Sequence, residues 1–305
     1  MSAYYDSGSG YDIVRIDAVS ASAPVNTVAP AVTGTATAGQ TLTTTDGTWT
    51  GSAPITYTYQ WQYNDGTWNN IAGQTASTYQ IQSVYVGDTI RCVVTGTNAL
   101  GNSSANSNAT AAVSDPAAFV NDTMTGVDTT LLSAHTGETG ATWTKHTSYT
   151  GTMQLASNRL RCTDTTLSAY YASGSPVSVD YTVSANFYCV DSTAASVMAI
   201  AARVNTAANT MYVARYNNDG VGWAIFKIVA GASTLIGNTN ATLTNGQTYA
   251  LVFKVVGTSL TFTVDGVTKA SGTDSAISAA GKVGVRGNCN TAYQFDSVSA
   301  TDWYA

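Results

Sequence analysis

The sequence predicts an all-β chain in which a short N-terminal strand segment precedes two β-sandwiches, and three observations predict it. Only 10% of residues are charged, while Thr, Ser, Ala, Gly, Val and Tyr dominate, a composition rich in strand formers and poor in helix formers. Every acidic residue except Glu138 is Asp, which favours turns where Glu favours helices. Turn signals recur about every ten residues in the first third of the chain, the rhythm of short antiparallel strands. At 305 residues the chain exceeds one comfortable hydrophobic core, so two domains are expected.

Residues 1–23 include an alternating stretch, Tyr11 to Val19, that reads as one strand too short to fold alone. Residues 24–114 form the first module, punctuated by Ala38-Gly39, Asp46-Gly47, Asp65-Gly66, Ala72-Gly73, Gly87-Asp88 and Leu100-Gly101. Asp115-Pro116-Ala117-Ala118 is a linker whose Pro116 blocks strand continuation. From residue 119 to 305 the strands lengthen and alternate, as in SVDYTVSANFYCV, SVMAIAARV, TMYVARYN, GWAIFKIVAG and YQFDSVSA, with tight hairpin turns at Val255-Val256-Gly257-Thr258-Ser259-Leu260 and Asp265-Gly266.

In the first module the runs VNTVAPAVTGTATAGQTLTTTDGTWTG, TYTYQWQ, STYQI and GDTIRCVVTGTNALG resemble the immunoglobulin-like modules common in bacterial surface proteins and tailed-phage virion proteins. The resemblance makes Trp61 the core Trp of the third strand and Asp88-x-Ile90-x-Cys92 the family corner, with Ile90 in place of Tyr. It departs at Gln40-Thr-Leu42-Thr, where Leu42 stands in the place of the second cysteine, so Cys92 is expected as a free buried thiol packed on Trp61. A module without its disulfide suggests folding in a reducing cytosol, which favours a phage product over a secreted adhesin.

The second module resembles concanavalin-like or laminin-G-like jelly rolls, through FVNDTMTGVDTTLLSAHTGETGATW, MYVARYNNDGVGWAIFKI, LTNGQTYALVFKVVGTSLTFTVDGV and FDSVSATDW in that order. That family pairs its first and last strands in one sheet. An echo links Ile16–Ser22 to Phe295–Thr301; either alternating strands of this composition coincide, or the N-terminal segment is a closing-type strand that docks on another protein's sheet edge through Tyr11, Ile13, Ile16 and Val19.

Net charge is −6 with twelve scattered basic residues, so no basic face exists for nucleic acid. The opening MSAYYDSGSG has no basic or apolar signal region and no apolar run reaches bilayer length, so a soluble, unexported chain with no membrane partner is expected. Cys92, Cys162, Cys189 and Cys289 lack metal-type spacing and are expected as thiols.

Glycoside hydrolysis needs two carboxyl groups across the scissile bond, but Glu138 is the lone Glu and no strand of the second module carries an alternating carboxylate pair. His135 and His146 fall in turn-rich sequence without a nucleophile elbow and read as surface-loop histidines. No enzyme is expected. The jelly-roll resemblance implies one metal candidate, a structural calcium ion near the first and last strands, which here means Asp122 and Asp296. Tyr149, Tyr170, Tyr171 and Trp223 are the candidates for stacking on sugars, although Trp223 lies in a strand pattern that also suits the core.

The expectation is a non-enzymatic tailed-phage virion protein, a capsid decoration or fibre-like component whose partners are other virion proteins and cell-surface glycans. A tail-fibre or baseplate adhesion component, a bacterial adhesin fragment and a polysaccharide-degrading enzyme are the alternatives.

Overall fold

The structure is a computed structural model describing residues 20–288 and 291–304. The docking candidates Tyr11, Ile13, Ile16 and Val19 lie outside the described residues. Within the described residues the chain is all strand and turn, with 3-10 turns at Ser83–Tyr85 and Leu132–Ala134 and no α-helix. Two compact units change over between Ser114 and Asp115.

The first unit contains β1 (Val25–Val28), β2 (Val32–Thr33), β3 (Thr41–Thr44), β4 (Thr48–Thr50), β5 (Thr56–Asn64), β6 (Trp68–Asn70), β7 (Thr78–Gln80), β8 (Thr89–Asn98) and β9 (Gly101–Asn106). A three-stranded sheet β2-β3-β7 faces a four-stranded sheet β6-β5-β8-β9, and β1 pairs with β4. The Asp46-Gly47 turn requires glycine. Gly47 has φ +79°, and a Cβ there would stand 2.4 Å from the Val28 carbonyl oxygen.

Trp61 on β5 lies opposite Cys92 on β8, meets Tyr79 of the facing sheet at 5.6 Å, and donates its indole N–H to the Ala76 carbonyl at 2.9 Å. Leu42 is fully buried, in keeping with an apolar residue where a second sulfur would stand. Cys92 is a free, buried thiol, and burial pushes its pKa up to about 11 against hydrogen bonds involving Gln60 and Thr44.

The second unit is a concanavalin-like jelly-roll sandwich. Its strands are β10 (Val120–Asp122), β11 (Trp143–Lys145), β12 (Met153–Leu155), β13 (Leu160–Cys162), β14 (Ser168–Ala172), β15 (Tyr181–Cys189), β16 (Val197–Asn205), β17 (Thr210–Asn217), β18 (Gly222–Val229), β19 (Ala232–Thr239), β20 (Thr248–Val256), β21 (Ser259–Val264), β22 (Val267–Thr273), β23 (Lys282–Gly287) and β24 (Tyr293–Asp302). One sheet has eight strands, in the order β12-β13-β24-β15-β20-β21-β22, with β10 also pairing with β24; the other has seven, β11-β14-β23-β16-β17-β18-β19. The unit's first and last strands pair antiparallel, Val120 opposite Ala300, and so close the domain. At the β21–β22 hairpin Asp265 and Gly266 both have positive φ, 50° and 75°, the conformation a two-residue turn demands.

The core between the sheets is aromatic. Trp143, Tyr170, Tyr212, Tyr216 and Trp223 come from the seven-stranded sheet and meet Tyr181, Phe187, Phe253, Phe262 and Phe295 from the other. The eight-stranded sheet alternates as expected, β15 being buried at every second residue. In contrast, β16 is buried at every position except Asn205, and β17 and β18 are buried on both faces over most of their length. Alternation is therefore lost at the centre of the seven-stranded sheet. Its outer face carries a second apolar cluster of Ala169, Ala199, Ala201, Met211, Val213, Ala224, Phe226 and Ile228, where an antiparallel sheet ordinarily turns polar side chains to water.

Candidate functional site

That outer face is assembled by strand register. On one rung Ala169, Arg286, Ala199, Arg215 and Ala224 stand side by side across β14, β23, β16, β17 and β18. On the next rung Tyr171, Gly284, Ala201, Val213 and Phe226 do the same. Alanine and glycine neighbours leave room for the two arginines to lie along the sheet. The Arg215 guanidinium sits over the Phe226 ring, 3.9 Å from its centroid, and Arg286 lies 5.5 Å from the centroid of Tyr149.

Tyr149 reaches the face on a loop strapped across it. The His146 amide binds the Ala169 carbonyl at 2.9 Å, and the Gly151 amide binds the Leu167 carbonyl at 3.2 Å. His146 is buried. Its Nε2 faces the Asn205 and Ala208 carbonyls, both at 3.3 Å, and its Nδ1 accepts the Ser148 amide at 3.2 Å, so the imidazole is the neutral Nε2–H tautomer. The Tyr149 hydroxyl donates to Asn209 Oδ1 at 2.6 Å.

The electrostatics of the face are one-sided. The Nε of Arg215 and that of Arg286 are both buried without a hydrogen-bond partner, and neither guanidinium pairs with a carboxylate among the described residues. Burial lowers the pKa of Arg215, and the like charge of Arg286 lowers it further, while Asp219 opposes both. Asp219 itself accepts the Asn217 side-chain amide and the Val221 backbone amide in its own turn.

The four aromatic candidates are divided by this geometry. Tyr149 and the partly exposed Tyr171 share the outer face with His146, which stacks edge-on to Tyr149 at 5.6 Å and to Tyr171 at 6.3 Å. Tyr170 points the other way, into the sandwich core, as alternation requires. Trp223 is also in the core, 5.4 Å from Phe187 and 4.8 Å from Tyr216, so neither is placed to stack on a surface sugar.

The carboxylates proposed for calcium do not converge. Asp122 is fully buried and accepts three protein donors, the Met124 amide at 2.7 Å, His135 Nε2–H at 2.9 Å and the Trp143 indole N–H at 2.7 Å. Asp296 sits at a bulge in β24, where Asn186 faces Ser297 and Phe187 faces Phe295, and it pairs with Arg159. The bulge switches the side-chain alternation, so Asp296 faces away from the core that buries Asp122. Donors occupy both carboxylates, and the pair does not fit a shared ion. No group of three His, Cys, Asp or Glu is placed to hold a metal among the described residues.

The two histidines also depart from the surface-loop reading. His146 holds the strap loop and His135 holds Asp122, because each imidazole satisfies polar groups that burial would otherwise orphan. Glu138 accepts the Thr123 hydroxyl and, at 2.9 Å, the Thr123 amide; the Thr123 hydroxyl chiefly holds its pKa below the usual carboxylate range, the reverse of what a general acid needs. A surface cleft of about 610 Å³ lies elsewhere in the unit, lined by Arg203, Lys282 and the 276–281 segment. Its cations are already engaged, Arg203 by the Ile277 carbonyl at 2.7 Å and Lys282 by the Ser173 carbonyl at 2.7 Å, and no aromatic ring lines it.

Arg215, Arg286, Phe226 and Asn209 were not singled out from the sequence. The usable signal was a lone arginine in each of two strands, TMYVARYN and KVGVRG, at a position that alternation turns away from the core.

No protein-family model matches this chain, and no curated protein matches it. Among solved structures it is similar in fold to the carbohydrate-binding module CBM66 from Bacillus subtilis, at 19% identity over 53% of this chain and 92% of that one, with a TM-score of 0.41. The VIP36 exoplasmic/lumenal domain in a Ca2+/Man2-bound form aligns at 10% identity over 58% of this chain and 88% of that one, TM-score 0.42. The Caenorhabditis elegans galectin LEC-6 aligns at 11% identity over 44% of this chain and 95% of that one, TM-score 0.31. At these values the likeness bears on neither ligand nor activity.

Proposed function

We propose that this chain is a non-enzymatic adhesive protein whose second unit binds glycans on the outer face of its seven-stranded sheet. One observation carries the reading. Tyr149, Tyr171 and Phe226 lie on the same face as two arginines that have no acidic partner among the described residues, the combination of ring surface and free donors by which proteins hold sugars. Catalysis finds no support, because the lone Glu is held in its charged form and Asp122 is sealed by three donors. A single shallow face of this kind gives weak affinity, so multivalent display is part of the proposal.

The setting proposed for that display is a tailed-phage particle, as a capsid decoration or fibre-like component. The support is the resemblance of residues 24–114 to virion modules and the free Cys92 in place of a disulfide. Docking is assigned to the N-terminal segment.

The multimerised full chain applied to a glycan array, beside a reducing-sugar assay on the glycans it retains, tests the binding proposal. Binding without release of reducing ends is expected. Release, or no retention of any glycan, overturns it. Immunolabelling of purified particles tests the setting, and particles that carry no label refute it.

A further inference from the structure

The outer face has a chemical property beyond glycan binding in general. Arg286 is 9% exposed, and its guanidinium shares the face with that of Arg215, one strand away on either side of Ala199. Like charges brought together in a partly desolvated setting repel, and an arginine is ordinarily buried only when paired. Among the described residues neither is paired with a carboxylate, and each keeps a buried Nε–H without an acceptor. Other cations of this unit do find a carboxylate: Arg159 has Asp296, Arg203, whose Nε is also orphaned, has Asp180 and the Ile277 carbonyl, and Lys227 has Asp274, whereas Lys254 lies over the Trp303 ring.

Asp219 opposes the lowering of the Arg215 pKa, but among the described residues no carboxylate bonds to either guanidinium on the face. Its facing groups are the Tyr149 hydroxyl, already donating to Asn209, the neutral His146 imidazole, Tyr171, and Asp219, which is committed to its own turn. Two forks of N–H donors with a deficit of acceptor oxygens suit a carboxylate, whose two oxygens match the guanidinium fork. Of the rings on the face, the half-exposed Tyr171 suits the carbon face of a pyranose, while Tyr149 and Phe226 are buried and back the two guanidinium groups.

We infer that the ligand of this face is an acidic saccharide, a uronic or related sugar acid whose carboxylate sits between Arg215 and Arg286. This rests on the glycan-binding reading and narrows it.

The test uses the full chain and three probes, trigalacturonate, its fully methyl-esterified counterpart, and sodium sulfate. Trigalacturonate is expected to bind with an affinity that falls as salt is raised, and the neutral ester at least tenfold more weakly, because the charge-assisted contact is lost. In 15N spectra of the wild type the Nε–H resonances of Arg215 and Arg286 should both move on adding trigalacturonate, a readout that needs no substitution. Arg215→Gln and Arg286→Lys should each weaken binding about tenfold or more, the second because a lysine keeps the charge and loses the fork.

If the ester binds as tightly as the acid and the Nε–H resonances stay in place, the acidic inference is overturned while glycan binding stands. If neither saccharide binds and a wider array is also blank, both readings fall. If sulfate alone reproduces the resonance shifts and the saccharide adds nothing, the face holds an adventitious ion only, and the inference is overturned.

Discussion

Replacing Asp122 by Ala would remove the acceptor of three hydrogen bonds from a site with no solvent exposure. The Trp143 indole N–H and the Met124 amide would be left buried and unpaired, at a cost of about 1–3 kcal/mol each. His135 is 11% exposed at its side chain and regains water in part, so its loss counts for less. The expected destabilisation of the second unit is about 4 kcal/mol. For a unit of this size that corresponds to a fall in Tm of about 10 °C. Asp122→Asn keeps an acceptor for Met124 and His135 but turns an amide NH2 toward Trp143, so about 1–3 kcal/mol is expected.

Urea unfolding followed by tryptophan fluorescence, with the second unit's transition resolved from the first, measures both variants. A loss below about 1 kcal/mol for Asp122→Ala would refute the hub assignment. The same experiment separates the hub from a calcium site. Chelator should leave the wild-type Tm unchanged, whereas a chelator-induced fall that Asp122→Ala abolishes would return the carboxylate to a metal.

Three further outcomes follow from single environments. Gly281 has φ +57°, and a Cβ there would lie 2.4 Å from the Arg203 carbonyl carbon, so Gly281→Ala should destabilise by about 2 kcal/mol or more in the same unfolding assay. Burial holds the Cys92 and Cys189 thiols at a pKa of about 11, with Asp191 adding to the effect on Cys189, so at pH 8 neither should react with a thiol reagent until urea unfolds its unit; rapid native labelling of either, located by peptide mapping, would contradict this. Burial raises the Asp274 pKa, but the hydrogen bonds from Lys227 and Tyr212 outweigh it and leave the group below its ordinary value. A depressed carboxylate stabilises the fold above its unfolded pKa of about 3.9 and loses that contribution as pH falls through the folded value. Melting curves between about pH 5 and 2 should therefore decline less steeply for Asp274→Asn than for the wild type, and parallel declines would remove Asp274 from the account.

Strand, turn and module order were legible in the sequence because they depend on neighbours. Asp46-Gly47 and Asp265-Gly266 turn the chain because glycine accepts positive φ, and TMYVARYN is the strand Thr210–Asn217. Leu42 in the place of a cysteine predicts a free Cys92 without any coordinates, and a lone Glu disfavours a two-carboxylate site. The aromatic candidates were harder to sort, because alternation tells that Tyr170 and Tyr171 oppose each other but not which one meets the core.

What tertiary structure decided is partnership and side. The β24 bulge reverses the alternation at Asp296 and so separates it from Asp122, and no local pattern marks where a bulge will fall. His146 is buried because its loop crosses the sheet and meets carbonyls some sixty residues further along, which the turn-rich sequence around it does not reveal. Arg215 and Arg286 come from strands distant in the chain and become neighbours only because β23 and β17 flank β16 in one register. The sequence by itself determined an all-β chain with a single Glu. Only the long-range pairing of β23, β16 and β17, set by hydrogen-bond register between remote segments, decided that Arg215 and Arg286 would share one face.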